Sequence, residues 1–165
     1  MQKPNLSQAR WHPLLFLIPL VVIAVDQMSK YWIKTHLAIG ESLFDFGFFQ
    51  ITRVQNTGAA FGIFRGYAAP LSIISILGVI IILVYIYYFH RRYPIFTGTF
   101  SKVAIMLVLG GDIGNLIDRV AFGYVTDFLD FKIWPSFNVA DSCLVIGVIM
   151  LVYSLIFLMG KSEEK

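Results

Sequence analysis

Four long apolar runs, separated by segments rich in polar and charged positions, organise the chain. They cover about residues 13–33, 69–89, 103–120 and 139–159. Each is close to the ~20 residues an α-helix needs to cross a hydrocarbon core about 30 Å thick. The run at 69–89 carries no charge, and Tyr85, Tyr87 and Tyr88 near its end suit an interfacial aromatic belt. Between the first two runs, at about 34–68, the period changes. ESLFDFGFFQITRV alternates, with Phe44, Phe46 and Phe48 on one face and Asp45 on the other. That pattern predicts a short hairpin or small sheet resting on the membrane surface. The other long loop, about 121–138, holds Asp127, Asp130, Trp134 and Pro135. The expected fold is an all-α integral membrane protein: one domain over residues 1–165, four transmembrane helices, and a small extracytoplasmic β-sheet on the first outer loop.

Composition strengthens this picture. Of 165 residues, 58% are hydrophobic and 14% charged, and the mean hydropathy is +0.75. Soluble domains carry about 25% charged residues, so lipid must cover part of this surface. Lys3 and Arg10 precede the first apolar stretch as in a signal peptide, but no small-x-small cleavage site follows, which favours a retained anchor. The net charge of +3 sits at segment ends, with no basic stripe for nucleic acid. Lys3, Arg10, Arg91, Arg92, Lys102, Lys161 and Lys165 fall on one side of the four spans. The opposite loops carry Lys34, Arg53, Arg65 and Lys132. The positive-inside rule then puts both termini in the cytoplasm. The single cysteine, Cys143, lies in an apolar run and reads as a small hydrophobe.

Ionisable residues inside a bilayer are costly and mark functional hypotheses. The third helix rises outward from Lys102, so at ~1.5 Å per residue Asp118 lies ~24 Å up. Asp112, Asn115, Asp118 and Arg119 therefore occupy the outer half. Asp26 and Lys30 share a face at i,i+4 in the outer third of the first helix. Gly111, Asn115 and Asp118 form a stripe at i, i+4, i+7. The fourth helix begins at the same level, with Asn138 or Ser136 available as its cap and Asp141 in its first turn, where the helix dipole favours a carboxylate. These groups either satisfy one another between helices or build a site; periodicity leaves both readings open. Asp127 and Asp141 differ in lying at the boundary, within reach of water.

Other chemistries fit poorly. His12, His36 and His90 flank the helices, His90 on the opposite side, so a histidine triad or a zinc site lacks its ligands. Ser29 and Lys30 are adjacent and diverge by ~100° on a helix, unsuited to a Ser–Lys dyad. No phosphate-cradling glycine loop is present. Carboxylates remain, with no metal and no cofactor expected. A small transporter or channel using intramembrane acids is the alternative, but it requires a polar route through both leaflets, and the second helix is apolar throughout.

The strings VDQMSK (25–30), NTGAAFGIF (56–64), GGDIGNLIDR (110–119), YVTDF (124–128) and FNVADS (137–142), in this order among four helices, resemble the bacterial lipoprotein signal peptidase (signal peptidase II) family. The resemblance covers about residues 13–160. It implies a membrane aspartic endopeptidase of the bacterial cytoplasmic (inner) membrane with its site at the outer face. Such an enzyme removes the signal peptide from prolipoproteins just before a diacylglyceryl-modified cysteine, and is inhibited by the peptide antibiotic globomycin. The partners implied are diacylglyceryl-modified prolipoproteins and membrane lipids. The catalytic acids match Asp127 and Asp141. Asp26, Lys30, Asn56, Gly111, Asn115, Asp118, Arg119 and Asn138 match residues that build or support the site. Two departures stand out: Asp112 replaces a small residue, with Arg119 on the same face as one partner, and Thr126 replaces an aliphatic one.

Overall fold

The computed structural model describes residues 11–58, 68–89, 96 and 98–158. A 3-10 turn, Pro13–Phe16, leads into α1, Leu17–His36. Strands β1, Ser42–Leu43, and β2, Gln50–Asn56, follow. Then come α2, Ala68–Val84; α3, Thr99–Phe122; β3, Val125–Asp130; and α4, Val139–Tyr153. α2 and α4 continue into π-helical turns, Tyr85–Phe89 and Ser154–Leu158. Among the described residues, four helices are long and apolar enough to cross a membrane. The third runs four residues further back and two further on than its apolar core predicts. Lys3, Arg10, Arg65, His90, Arg91, Arg92, Lys161 and Lys165, and positions 59–64 of the NTGAAFGIF string, lie outside the described residues.

α3 is the central helix and packs against α1, α2 and α4. Small residues permit this. A Cβ on Gly111 would stand 2.5 Å from the Ala140 carbonyl oxygen of α4, and one on Gly114 would stand 2.8 Å from Asp26 Oδ2 of α1. Helix backbones approach this closely in membranes only across such positions. The last turn of α3 closes on Gly123, in the left-handed region with φ 75°, whose N–H donates to the Arg119 carbonyl.

The sheet is antiparallel, ordered β1-β2-β3, and its third strand comes from the second outer loop. Val54 pairs with Asp127 and Asn56 with Val125. An irregularity between Ile51 and Val54 turns Arg53 toward the end of α1, where its guanidinium donates to the Lys34 and Leu37 carbonyls. These are carbonyls that a helix C-terminus leaves without partners, so a cation there locks sheet to helix. Ile33, Leu37 and Phe128 fill the junction.

The expectation for Phe44, Phe46 and Phe48 is corrected. β1 ends at Leu43, and the three rings lie exposed on a turn rather than along a strand face. Asp45 accepts from the Gly47 N–H, and Gly47 adopts φ 82°; this local side-chain turn outcompetes the ladder. Lys132, from the loop after β3, reaches Asp45 at 2.7 Å.

Thr126 is fully buried, and its Oγ1 has no hydrogen-bond partner among the described residues. An orphaned buried hydroxyl costs about 1–3 kcal/mol. Thr126→Val keeps the branched shape without the hydroxyl and is expected to stabilise the fold by about 1 kcal/mol, read as a higher midpoint of thermal unfolding in detergent. A lower midpoint would show that the hydroxyl has a partner.

Candidate active site

Two acids reach one cavity from different elements. Asp127 stands on β3, 2% exposed, and Asp141 stands in the first turn of α4. Asn138, rather than Ser136, caps α4 in a reciprocal capping box: its side chain accepts the Asp141 N–H, and its own N–H donates to Asp141 Oδ2. The cap thus places the carboxylate while starting the helix.

Three asparagines hold the two acids. Asn138 Nδ2 donates to Asp127 Oδ1 at 2.7 Å, and Asn56 Nδ2 to Asp127 Oδ2 at 2.9 Å. Asn115 Nδ2 donates to Asp141 Oδ1 at 2.7 Å. The orientation of each amide is dictated by its other end. Asn138 Oδ1 faces the Asp141 N–H, Asn56 Oδ1 the Gly58 N–H, and Asn115 Oδ1 the Lys30 ammonium. Those groups only donate, so flipping any amide would oppose donor to donor. Each of the four carboxylate oxygens therefore accepts a hydrogen bond from one of these donors.

Behind this pair lies a charge-balanced scaffold. Lys30 Nζ is 2.8 Å from Asp26 Oδ2, 3.0 Å from Asn115 Oδ1 and 3.9 Å from Asp118 Oδ2, with Lys30, Asp26 and Asp118 all fully buried. Lys34 meets Asp118 Oδ1 at 3.3 Å and lies over the Phe122 ring. Two lysines thus neutralise two aspartates. The carboxylates also fix backbone: Asp26 Oδ1 accepts the Ala140 N–H at the start of α4, and Asp118 Oδ2 accepts the Thr126 N–H beside Asp127. Gln27 bridges Asp26 and the Gly114 carbonyl.

Asp127 keeps its proton up to about 7, against the usual 3.8. Desolvation is the largest cause and the nearby Asp141 charge the second, opposed by the amides of Asn56 and Asn138 and by the Lys30 charge. A cavity of about 560 Å³ opens in front, lined by both acids, Arg119, Trp134 and Leu144 among others. Val145 and Ile146 also line it, and both are exposed on the outer surface of α4, so an apolar wall runs from the acids to the face a bilayer would cover.

The structure therefore gathers Asp26, Lys30, Asn56, Asn115, Asp118, Asp127, Asn138 and Asp141 into one network. Gly111 stands apart from it, at the α3–α4 crossing, and Arg119 lines the cavity without a hydrogen bond to either acid among the described residues. Sequence reasoning missed Gln27, Lys34 and Ser75 as members of this polar system. For Lys34 a signal existed, since Asp26, Lys30 and Lys34 stand at i, i+4 and i+8 on one helix face; Gln27, adjacent to Asp26, offered none. Among the described residues, no group of three or more His, Cys, Asp or Glu is placed to hold a metal ion.

Residues 18–157 match the model of a family described as signal peptidase (SPase) II. A lipoprotein signal peptidase of Moorella thermoacetica is 44% identical over 150 residues, covering 90% of this chain and 97% of its own length. One from Dehalococcoides mccartyi is 47% identical over 130 residues, with 79% and 81% covered. A solved bacterial membrane enzyme, determined by the in meso method at 2.3 Å resolution, shares the fold with a TM-score of 0.80 at 38% identity, over 92% of each chain.

Proposed function

We propose, since the chain belongs to the signal peptidase II family, that this integral membrane peptidase cleaves the signal peptide from prolipoproteins by an aspartic mechanism. The cut falls just before a diacylglyceryl-modified cysteine, and Asp127 and Asp141 are the catalytic pair. The carrying observation is two acids at one cavity, Asp127 buried and Asp141 half-buried, with each carboxylate oxygen held by an N–H donor.

In the reaction, ionised Asp141 takes a proton from a water molecule whose oxygen attacks the scissile carbonyl carbon. Asp127 donates its proton to the carbonyl oxygen as the tetrahedral intermediate forms. Collapse of that intermediate breaks the C–N bond. Asp141 passes its new proton to the leaving amine, and Asp127 recovers its own from the former carbonyl oxygen. One water is consumed across one amide. The capping position of Asp141, near the positive end of α4, supports its holding the charge. The apolar wall formed with Val145 and Ile146 suits acyl chains entering sideways from lipid.

Both termini are assigned to the cytoplasm and the site to the outer face of the bacterial cytoplasmic membrane. Of the described cations at the site face, Lys34 is held by Asp118, Arg53 by carbonyls and Lys132 by Asp45. The transporter reading lacks support, because residues 103–111 of α3 are apolar from Val103 to the paired glycines, and the described residues of α2 are uncharged.

Purified protein is expected to cleave a diacylated prolipoprotein peptide, to leave the unacylated peptide largely intact, and to be inhibited by globomycin. Absence of cleavage would overturn the assignment. The pH dependence follows from Asp127. Its raised pKa keeps the acid protonated up to about 7, so kcat/KM holds as pH rises toward neutrality and then falls about tenfold per unit above that point. A profile still flat at pH 9 would exclude Asp127 as the acid.

A further inference from the structure

Asp112 takes no part in the network around the catalytic pair. It faces α2, where its Oδ2 lies 2.8 Å from the place a Cβ on Gly78 would occupy, so a side chain at 78 would push the carboxylate aside. Its hydrogen-bonding neighbour there is the hydroxyl of Ser75, a buried residue of α2. Ser75 Oγ also accepts from Arg119 Nη1 at 3.4 Å, the sole side-chain hydrogen bond of Arg119 among the described residues. Polarity runs one way. A hydroxyl has one proton; Asp112 takes it, which leaves the Ser75 lone pairs for the guanidinium. Arg119 lines the cavity and lies within the electrostatic reach of Asp141, Asp112, Asp127 and Asp118. Asp112 and Arg119 are seven residues apart on one face of α3, with Ser75 between them across the helix interface.

We propose that Asp112 and Ser75 are positioning residues that hold the Arg119 guanidinium at the cavity wall beside the acid pair, where it contacts the bound peptide. The kinetic part rests on the peptidase reading; the geometric part does not. Among the described residues Arg119 makes no hydrogen bond to either acid, so losing its position weakens peptide binding more than it slows the chemical step.

The test uses the full chain in detergent. Phenylglyoxal labelling of Arg119, followed by mass spectrometry, is expected to accelerate about fivefold in Ser75→Ala and Asp112→Ala, with Arg53 unchanged. In lipopeptide cleavage the same variants raise KM about five- to tenfold and leave kcat within twofold. Asp112→Asn, which keeps an acceptor for the Ser75 proton, recovers most of the loss. In an Arg119→Lys background Asp112→Ala adds nothing further, because residues acting through one group are not additive. Ser75→Ala removes one oxygen and no charge, so it decides the matter even where Asp112→Ala fails to fold. Unchanged labelling in Ser75→Ala overturns the proposal, as do losses that add independently in the Arg119→Lys background. Failure of the wild type to cleave would remove the peptidase reading, while the labelling still decides whether Arg119 is held.

Discussion

Asp127→Asn and Asp141→Asn are each expected to lower kcat for a diacylated prolipoprotein peptide by about 10²–10⁴-fold, the range associated with loss of a general acid or base. Each substitution is nearly isosteric but exchanges one acceptor oxygen for an amide donor. At 127 that amide must face either Asn56 or Asn138, and at 141 either Asn115 or the Asn138 N–H. One donor is then opposed by another, at a cost of about 1–3 kcal/mol. A thermal unfolding scan in detergent therefore belongs beside the kinetics: a modest fall in midpoint with an intact transition, together with the rate loss, separates chemistry from collapse. Asp141→Asn also removes the charge that helps keep Asp127 protonated. The Asp127 carboxyl should then ionise at lower pH, visible as an acid shift of its infrared carbonyl band. Full activity in both variants would remove the pair from catalysis, and loss confined to Asp118→Asn would make Asp118 the second acid.

The second large effect concerns stability. Lys30→Met is expected to destabilise the protein by about 3–5 kcal/mol, the cost of leaving one member of a buried ion pair without its partner. Asp26 bears most of this. Its Oδ2 loses the ammonium at 2.8 Å, while Asp118 keeps Lys34 at 3.3 Å. Asn115 also loses the cation that orients its amide toward Asp141, so activity falls in whatever protein remains folded. Asp26→Asn combined with Lys30→Met removes both charges and should recover part of the unfolding midpoint. An unchanged midpoint in Lys30→Met alone would mean that Asp26 is satisfied by Gln27 and the Ala140 N–H.

The parts of the site that were legible early are those in which partners sit within a few helical turns. Asp26 and Lys30 at i,i+4 do form an ion pair, and the Asn138–Asp141 spacing does form the cap that starts α4. On α3 the spacing puts Asp112 and Arg119 on one face, but among the described residues no ion pair joins them; Arg119 donates to Ser75 of α2, which spacing along α3 alone cannot supply. Where local signals compete, spacing misleads. The alternation at 44–48 reads as a strand, yet Asp45 and Gly47 form a turn there, because an aspartate followed two residues later by glycine has its own local hydrogen bond.

Hydrophobic length by itself determined the four membrane-crossing helices, since no shorter or more polar segment can satisfy its backbone in hydrocarbon. Helical spacing likewise determined the polar groups that share a helix face. Tertiary structure decided which of those groups are scaffold and which face a cavity. Asn56 meets Asp127 across 71 residues, Lys34 meets Asp118 across 84, and Asp26 fixes the Ala140 N–H across 114. Strand β3 exists only because β2 is there to pair with it. The physical reason is that a buried carboxylate takes its character from desolvation and from the charges and donors around it, and in this fold those neighbours arrive from every other part of the chain.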